Sequence, residues 1–242
     1  MDAAPVSIVI VNYNGGDYLI RCLRAVAAQT LPPSEVIIVD NGSTDGSLDG
    51  IDALPIPVQL VAAGTNLGFA AANNLAARQA TAPWIATLNP DAFPEADWLW
   101  ELMRAVHRHP DVAMFGSTQV MADEPARLDG TGDVFHISGL VWRRGHGAAA
   151  ATVPAEGEVF APCAAAALYR RDRFLAVGGF EESFFCYCED VDLAFRLRLR
   201  GERCVQVGLV PTVKRRVAVA ASWLGGSPQE RRSARRRCAG LH

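Results

Sequence analysis

Along the chain, short β-branched runs give way abruptly to clusters of Asn, Asp, Gly and Ser. Val6–Val11 is followed by Asn12-Tyr13-Asn14-Gly15-Gly16, and Glu35–Val39 by Asp40-Asn41-Gly42-Ser43-Thr44-Asp45. Val58–Ala62 runs into Gly64-Thr65-Asn66-Leu67-Gly68, and Trp84–Leu88 into Asn89-Pro90-Asp91. Apolar runs bounded in this way predict fully buried strands. The stretches between them predict helices. Asp17 is a candidate N-cap for a helix reaching Gln29, with Leu19, Cys22, Leu23 and Val26 at helical spacing. Asp45–Ala53 predicts a short helix, the alanine-rich Phe69–Ala80 a longer one, and Glu95–His107 another, bearing Trp98, Leu99 and Leu102.

Val112–Val120 predicts a further strand, after which the pattern loosens from Asp123 to Glu158. That stretch is expected to be a long excursion with a hairpin around His136–Trp142, of the kind that serves as a lid or acceptor loop. Order resumes at Val159–Tyr169, and Asp172–Val177 predicts a short helix stopped by Gly178-Gly179. Phe195–Arg200 alternates apolar residues with Arg, yet Asp192, Arg196 and Arg200 form one stripe on a helical wheel that only Arg198 violates. A helix capped by Gly201 is therefore expected, then a last strand over Arg203–Val210. Strands alternating with helices predict an α/β fold, and such sheets bind ligands beyond the carboxyl ends of their strands. One shared cleft follows, suited to a ligand rich in hydrogen-bonding groups and carrying phosphate.

Composition narrows the class. Half of the 242 residues are apolar, ample for one buried domain. No apolar run approaches the roughly 18 residues of a membrane span, and the first strand begins too early to leave room for an export signal, so a cytoplasmic location is expected. The six cysteines show no metal-ligand spacing, and Cys186 and Cys188 form C-x-C, so free thiols are expected. Residues 214–242 carry a net charge of +7, leaving −10 on residues 1–213. An acidic body argues against nucleic acid as a partner. The basic tail is favoured as a solvated segment, with anionic lipid as the other reading.

Two acidic clusters are the candidates for chemistry. Asp91, after a buried strand, is the acid best placed at the sheet's carboxyl edge, and Mg or Mn takes such carboxylates together with phosphate oxygens. An ordinary Asn-Pro-Asp turn explains the same residues. Glu189-Asp190-Val191-Asp192 sets three carboxylates at a helix start, where dipole stabilisation accounts for one or two of them. Crowding of all three raises a pKa and suits a general base. Gly64–Gly68 opens a helix whose amides could face a phosphate, but it fits neither dinucleotide nor P-loop fingerprints. Val141-Trp142-Arg143-Arg144 could recognise an anion, although a solvated surface is the simpler expectation. His107 and His109 are expected only to end a helix.

In order, these motifs resemble family 2 glycosyltransferases with the GT-A fold. The resemblance rests on Val9-Ile10-Val11-Asn12-Tyr13-Asn14, Val39-Asp40-Asn41-Gly42-Ser43-Thr44-Asp45-Gly46-Ser47, Asn66-Leu67-Gly68-Phe69-Ala70 and Leu88-Asn89-Pro90-Asp91. Gly178-Gly179-Phe180-Glu181-Glu182-Ser183-Phe184-Phe185 and Tyr187-Cys188-Glu189-Asp190-Val191-Asp192-Leu193 complete it. Asn-Pro-Asp and Phe-Phe-x-Tyr-x-Glu-Asp-x-Asp are most similar to the rhamnosyltransferase-like bacterial branch, which builds cell-wall or surface polysaccharide. The resemblance implies a Rossmann-like, mostly parallel central sheet with helices on both faces over residues 1–212, and a basic C-terminal tail over 213–242. It implies inverting sugar transfer from a UDP- or dTDP-sugar to a hydroxyl of a saccharide or lipid-linked acceptor. Asp190 would be the base, with Glu189 and Asp192 orienting it or the acceptor. Asp91 would hold Mg or Mn, and Asn12, Tyr13, Asp40, Asn41, Asn66, Gly68, Asn74 and Asn89 would bind the donor. A lipid-linked acceptor would allow peripheral contact with the inner face of the cell membrane; a homo-oligomer is also compatible.

The end of the chain departs from that pattern. Relatives often place a metal-contacting histidine after the last strand, and Pro211-Thr212-Val213-Lys214-Arg215-Arg216 contains none. A truncated or altered end that leaves the metal shell incomplete is the expectation. The alternative function is accordingly a non-catalytic nucleotide-sugar-binding relative. A nucleotidyltransferase is weaker, because Asn12–Gly16 carries no Arg or Lys to grip a triphosphate.

Overall fold

The computed structural model describes residues 3–153 and 156–214. In chain order the strands are β1 (Ala4–Asn12), β2 (Pro33–Asp40), β3 (Val58–Ala62), β4 (Trp84–Leu88), β5 (Ala92–Pro94), β6 (Met114–Met121), β7 (Leu128–Gly130), β8 (Asp133–Phe135), β9 (Val141–Arg143), β10 (Glu156–Glu158), β11 (Ala166–Arg170) and β12 (Cys204–Lys214). The helices are α1 (Asp17–Ala27), α2 (Gly68–Gln79), α3 (Trp98–Arg108), α4 (Arg171–Ala176) and α5 (Glu189–Arg198).

Ten strands form one sheet, ordered β10-β12-β6-β11-β4-β1-β2-β3, with β5 added on β12 and β7 on β6. Six of them, β1, β2, β3, β4, β6 and β12, run in one direction. β11 runs antiparallel between β4 and β6. The alternation in β1 builds a core on each face. Ile8 and Ile10 pack in one cluster with Leu19, Leu23, Trp98 and Leu99 of α1 and α3. Val9 and Val11 pack in the other with Phe69, Phe174 and Leu193 of α2, α4 and α5. This is the layered α/β architecture expected from the sequence.

Several expectations need correction. Asp45–Ala53 is mostly turn, with a single 3-10 turn over Ile51–Ala53. Gly46 and Gly50, both at positive φ, break any longer helix. Gly16 rather than Asp17 precedes α1, and Asp17 is its first residue, where its charge favours the helix dipole. Val58–Ala62 is a strand but not a buried one; it forms the edge of the sheet, with Leu60 exposed. The excursion after β6 carries a hairpin, β8–β9, where one was expected, and adds β7 paired with β6. β12 continues to Lys214, beyond the strand end expected at Val210. The basic segment 215–242, including Cys238 and the end of the chain, lies outside the described residues. Among the described residues, Cys22, Cys163, Cys186, Cys188 and Cys204 are free thiols, and no helix is long and apolar enough to cross a membrane.

Candidate active site

The strand ends converge as the hydrophobic pattern implied, joined by named hydrogen bonds. Asn12 ends β1 fully buried, and its amide nitrogen donates to Asp40 Oδ1 (3.1 Å), Ser43 Oγ (2.9 Å) and Ser47 Oγ (2.9 Å). Asp40 in turn accepts the Gly42 and Ser43 amides and the Ser43 hydroxyl. Asp45 latches the two loops by accepting from Gly16 N (2.8 Å) and Ser47 N (3.0 Å). Partial burial works against its charge, yet the bonds from Ser47 and Gly16 prevail and hold its carboxyl below the usual range. Tyr13, the next residue, is half-buried.

The next link runs from β2 to α2 and the loop before α5. Buried Asn41 donates to Asn66 Oδ1 (3.3 Å) and to the Gly68 carbonyl (3.2 Å). Asn66 Oδ1 also accepts the Gly68 amide. The first free amides of α2, Phe69 N and Ala70 N, both donate to the Phe185 carbonyl, at 2.7 and 3.2 Å. The α2 N-terminus is therefore occupied by protein backbone. Asn74, 2% exposed, exchanges bonds with both backbone groups of Phe180 and donates to Glu182 Oε1. Its amide clamps the turn after Gly178-Gly179.

The acidic clusters lie on either side of a short connector. The Asn89 amide donates to the Ala165 carbonyl (2.9 Å), and the neighbouring Ala164 amide donates to Asp190 Oδ2 (3.0 Å). Val191 N holds the other oxygen, Oδ1, at 2.9 Å. Asp190 is nine-tenths buried, and two backbone donors fix the plane of its carboxylate. Glu189 is buried beside it. Asp192 is committed elsewhere: Arg196 grips it at 2.7 Å and donates to the Val177 and Gly179 carbonyls. The crowding argument thus loses one of its three free charges. Phe185, Tyr187 and Cys188, immediately before α5, all sit at positive φ. Such strain is maintained only where the surroundings over-determine the backbone, and it clusters at functional sites.

Asp91 is half-buried in the turn after β4. Burial first, and then its negative charge, push the Cys22 thiol of α1 well above the ordinary range. Two side-chain oxygens near this turn, Asn89 Oδ1 and Asn12 Oδ1, are buried without a hydrogen-bond partner. Asn12 Oδ1 faces Gly15, where a Cβ would come within 2.4 Å of it, so only glycine leaves that oxygen room. Among the described residues no three His, Cys, Asp or Glu side chains gather as a metal site.

Sequence reasoning missed a third group. Arg143 is partly buried and already paired: its Nε donates to Asp133 Oδ1 at 2.8 Å and its Nη1 approaches Asp129 Oδ2 at 3.4 Å. Burial opposes its charge, but Cys163, Asp133, Asp129 and Asp190 outweigh that and keep it protonated. Arg198, which broke the helical stripe, donates to the carbonyls of Phe160 and Val159 and pins the chain leading to Ala164. The spacing of polar residues carried no sign of either role, because the partners lie far away in sequence.

The model of "Glycosyl transferase family 2" matches residues 7–175. An N-acetylglucosaminyl-diphospho-decaprenol L-rhamnosyltransferase of Mycobacterium tuberculosis (strain CDC 1551 / Oshkosh) is 32% identical over 233 residues, covering 85% of this chain and 74% of the relative. Glycosyltransferase AglE of Haloferax volcanii is 36% identical over a shorter stretch of 103 residues, 39% of this chain and 33% of that protein. Among solved structures, S. aureus TarS 1-349 superposes with a TM-score of 0.65 at 17% identity, over 87% of this chain; the chain spans 60% of that protein's length. The mannosyltransferase PcManGT from Pyrobaculum calidifontis, solved with GDP-Man and Mn2+, gives 0.65 at 19% identity over all of this chain and 71% of its own. The architecture is the one these glycosyltransferases share, the GT-A fold.

Proposed function

The chain belongs to glycosyl transferase family 2, and from that premise we propose that it transfers a sugar, with rhamnose the first candidate, from a nucleoside diphosphate to a hydroxyl of a lipid-linked saccharide in cell-wall polysaccharide synthesis. What supports this is the connector at Ala164–Ala165, which ties the Asn89-Pro90-Asp91 turn and Asp190 to consecutive residues. A donor at the strand ends and a base beside it are what single displacement with inversion requires.

In this reading Asp190 takes the proton of the acceptor hydroxyl as its oxygen forms the new bond to the anomeric carbon. The bond from that carbon to the diphosphate breaks on the opposite side. The Ala164 and Val191 amides hold the base in place, so little reorganisation is needed when the proton moves. A positioned base of this kind contributes about 10²–10⁴-fold in rate. Glu189 orients the acceptor, whereas Asp192 acts at a distance, steadying the Gly178-Gly179 turn through Arg196. The polar cluster of Asn12, Asp40, Ser43 and Ser47 shapes the nucleotide pocket, with Tyr13 at its edge. Asn41, Asn66, Gly68 and Asn74 hold the pocket's walls in register, and Asn89 lies next to the ribose or sugar.

The residues fit a Mg or Mn ion shared with the diphosphate, since Asp91 and the unpaired Asn89 Oδ1 are hard oxygen donors. They do not fit a site built by protein alone. Such an ion would neutralise charge on the leaving diphosphate.

The test is to incubate the full chain with dTDP-rhamnose and N-acetylglucosaminyl-diphospho-polyprenol and weigh the products. A product heavier by one deoxyhexose is expected. Donor binding without transfer, across donors and with Mn present, would instead select the non-catalytic reading.

A further inference from the structure

The β8–β9 hairpin is the most apolar exposed feature of the described residues. Ile137 at its tip is 95% exposed, and Leu140 and Trp142 are about half exposed, at 48% and 49%. From Val134 to Trp142 there is no Asp, Glu, Lys or Arg. The tip also pairs part of its own backbone. His136 N donates to the Leu140 carbonyl and Gly139 N to the His136 carbonyl, both at 2.8 Å, while Ser138 N and its hydroxyl engage the His136 ring. Pairing the His136, Ser138 and Gly139 amides within the tip lowers the cost of taking it out of water.

The hairpin is rigidly rooted. Phe135 stacks on Phe160 at 4.8 Å and meets Phe195 of α5 at 5.5 Å. Asp133 N donates to the Ala161 carbonyl, three residues before the amide that holds Asp190. The Arg143–Asp133 pair locks the second strand to the same base. The tip therefore moves with the base, not independently of it.

We infer that this hairpin is a membrane-docking finger: Ile137, Leu140 and Trp142 enter the interfacial layer of a bilayer and hold the site over the surface that presents a lipid-linked acceptor. This rests on the acceptor class proposed above. Interfacial segments combine Trp and aliphatic side chains in this manner, with a cation kept at the base, here Arg144. A second copy of the chain is a poorer occupant. Stable interfaces bury about 800 Å² per partner from some 20–30 residues, and three side chains on a two-stranded hairpin fall far short.

The test is sedimentation of the full chain with vesicles of phosphatidylcholine alone, and of phosphatidylcholine with phosphatidylglycerol, at low and high salt. Binding to phosphatidylcholine that survives salt is expected. Ile137→Asp with Leu140→Asp should reduce it about tenfold or more, since each removes an apolar side chain from the bilayer. Both positions are exposed, so an unchanged unfolding midpoint is expected alongside. Trp142→Phe should remove most of the fluorescence quenching by brominated lipid, a second readout that does not depend on the double variant. Equal binding by the variants would overturn the inference. So would binding that requires phosphatidylglycerol and vanishes in salt, which would assign attachment to the basic residues 214–242, or a dimer that the substitutions dissociate. Sedimentation needs no turnover, so a chain that binds vesicles but transfers nothing would refute the proposed activity and leave the docking intact. With transfer established, the double variant should keep its kcat/KM on a short-chain soluble acceptor and lose it on the vesicle-embedded one.

Discussion

Gly68→Ala is the substitution whose outcome the structure constrains most tightly. Gly68 sits at φ +84°, in the left-handed region, where an L side chain costs about 1–2 kcal/mol. A Cβ there would lie 2.5 Å from Phe185 Cδ2, 2.7 Å from the Phe185 carbonyl oxygen and 2.8 Å from Phe185 Cγ. Overpacking of this kind adds about 1–3 kcal/mol. The ring can swing away, but the carbonyl cannot, because it accepts the Phe69 and Ala70 amides at the start of α2. If the loop retreats instead, those two bonds are lost at about 1 kcal/mol each. The total is about 2–5 kcal/mol, either as global destabilisation or as displacement of residues 185–190. Urea unfolding with linear extrapolation measures the first, and kcat/KM with a fixed donor measures the second. Adding Phe185→Ala should restore only part of the loss, since it removes the ring contacts and leaves the carbonyl contact in place. A Gly68→Ala protein within about 0.5 kcal/mol of the parent and with unchanged kcat/KM would refute the claim that α2 and the Asp190 loop form one unit.

Three further outcomes follow from the same contacts. Asn74→Ala should destabilise by about 2 kcal/mol, because the buried Phe180 amide loses its acceptor, and chemical denaturation would show it. Glu35 is partly buried, which by itself raises its pKa, but bonds from Ser7, Thr81 and Ala82 hold it below its ordinary 4.5. Its contribution is therefore present above about pH 4.5 and lost as pH falls through the lower folded value, so the Glu35→Gln protein should lose less stability than the parent between about pH 5 and about pH 3. Asp91→Ala should weaken donor binding in Mn and leave metal-free binding almost unchanged; calorimetry with and without Mn separates the two, and an unaltered Mn dependence would remove Asp91 from the metal.

The strand ends were legible because a buried strand must stop where polar residues begin, and Asn12, Asp40 and Asn89 mark those stops directly. α5 was legible for a similar reason: Asp192 and Arg196 lie one turn apart and pair. What escaped were features set by non-local partners. Arg143 sits in a Trp-Arg-Arg run that looks solvated, and only its pairing with Asp133 and Asp129, ten and fourteen residues away, commits its charge. β5, β7 and β10 are three residues each, too short to show a period. β11 carries no residue that encodes its reversed direction between β4 and β6. β3 reads as a core strand, but its position at the sheet's edge exposes it. The connector Ala164–Ala165 was equally silent, since it acts through backbone groups alone.

The most direct test of the account is Asp190→Asn, which preserves shape and the Val191 contact while removing the proton acceptor. Donor affinity measured by calorimetry should stay within about twofold of the parent, while transfer to acceptor falls by about 10²-fold or more. An Asp190→Asn protein that still transfers sugar at the parental rate would show that the base lies elsewhere and that the tie of Asn89 and Asp190 to Ala164–Ala165 has no catalytic meaning.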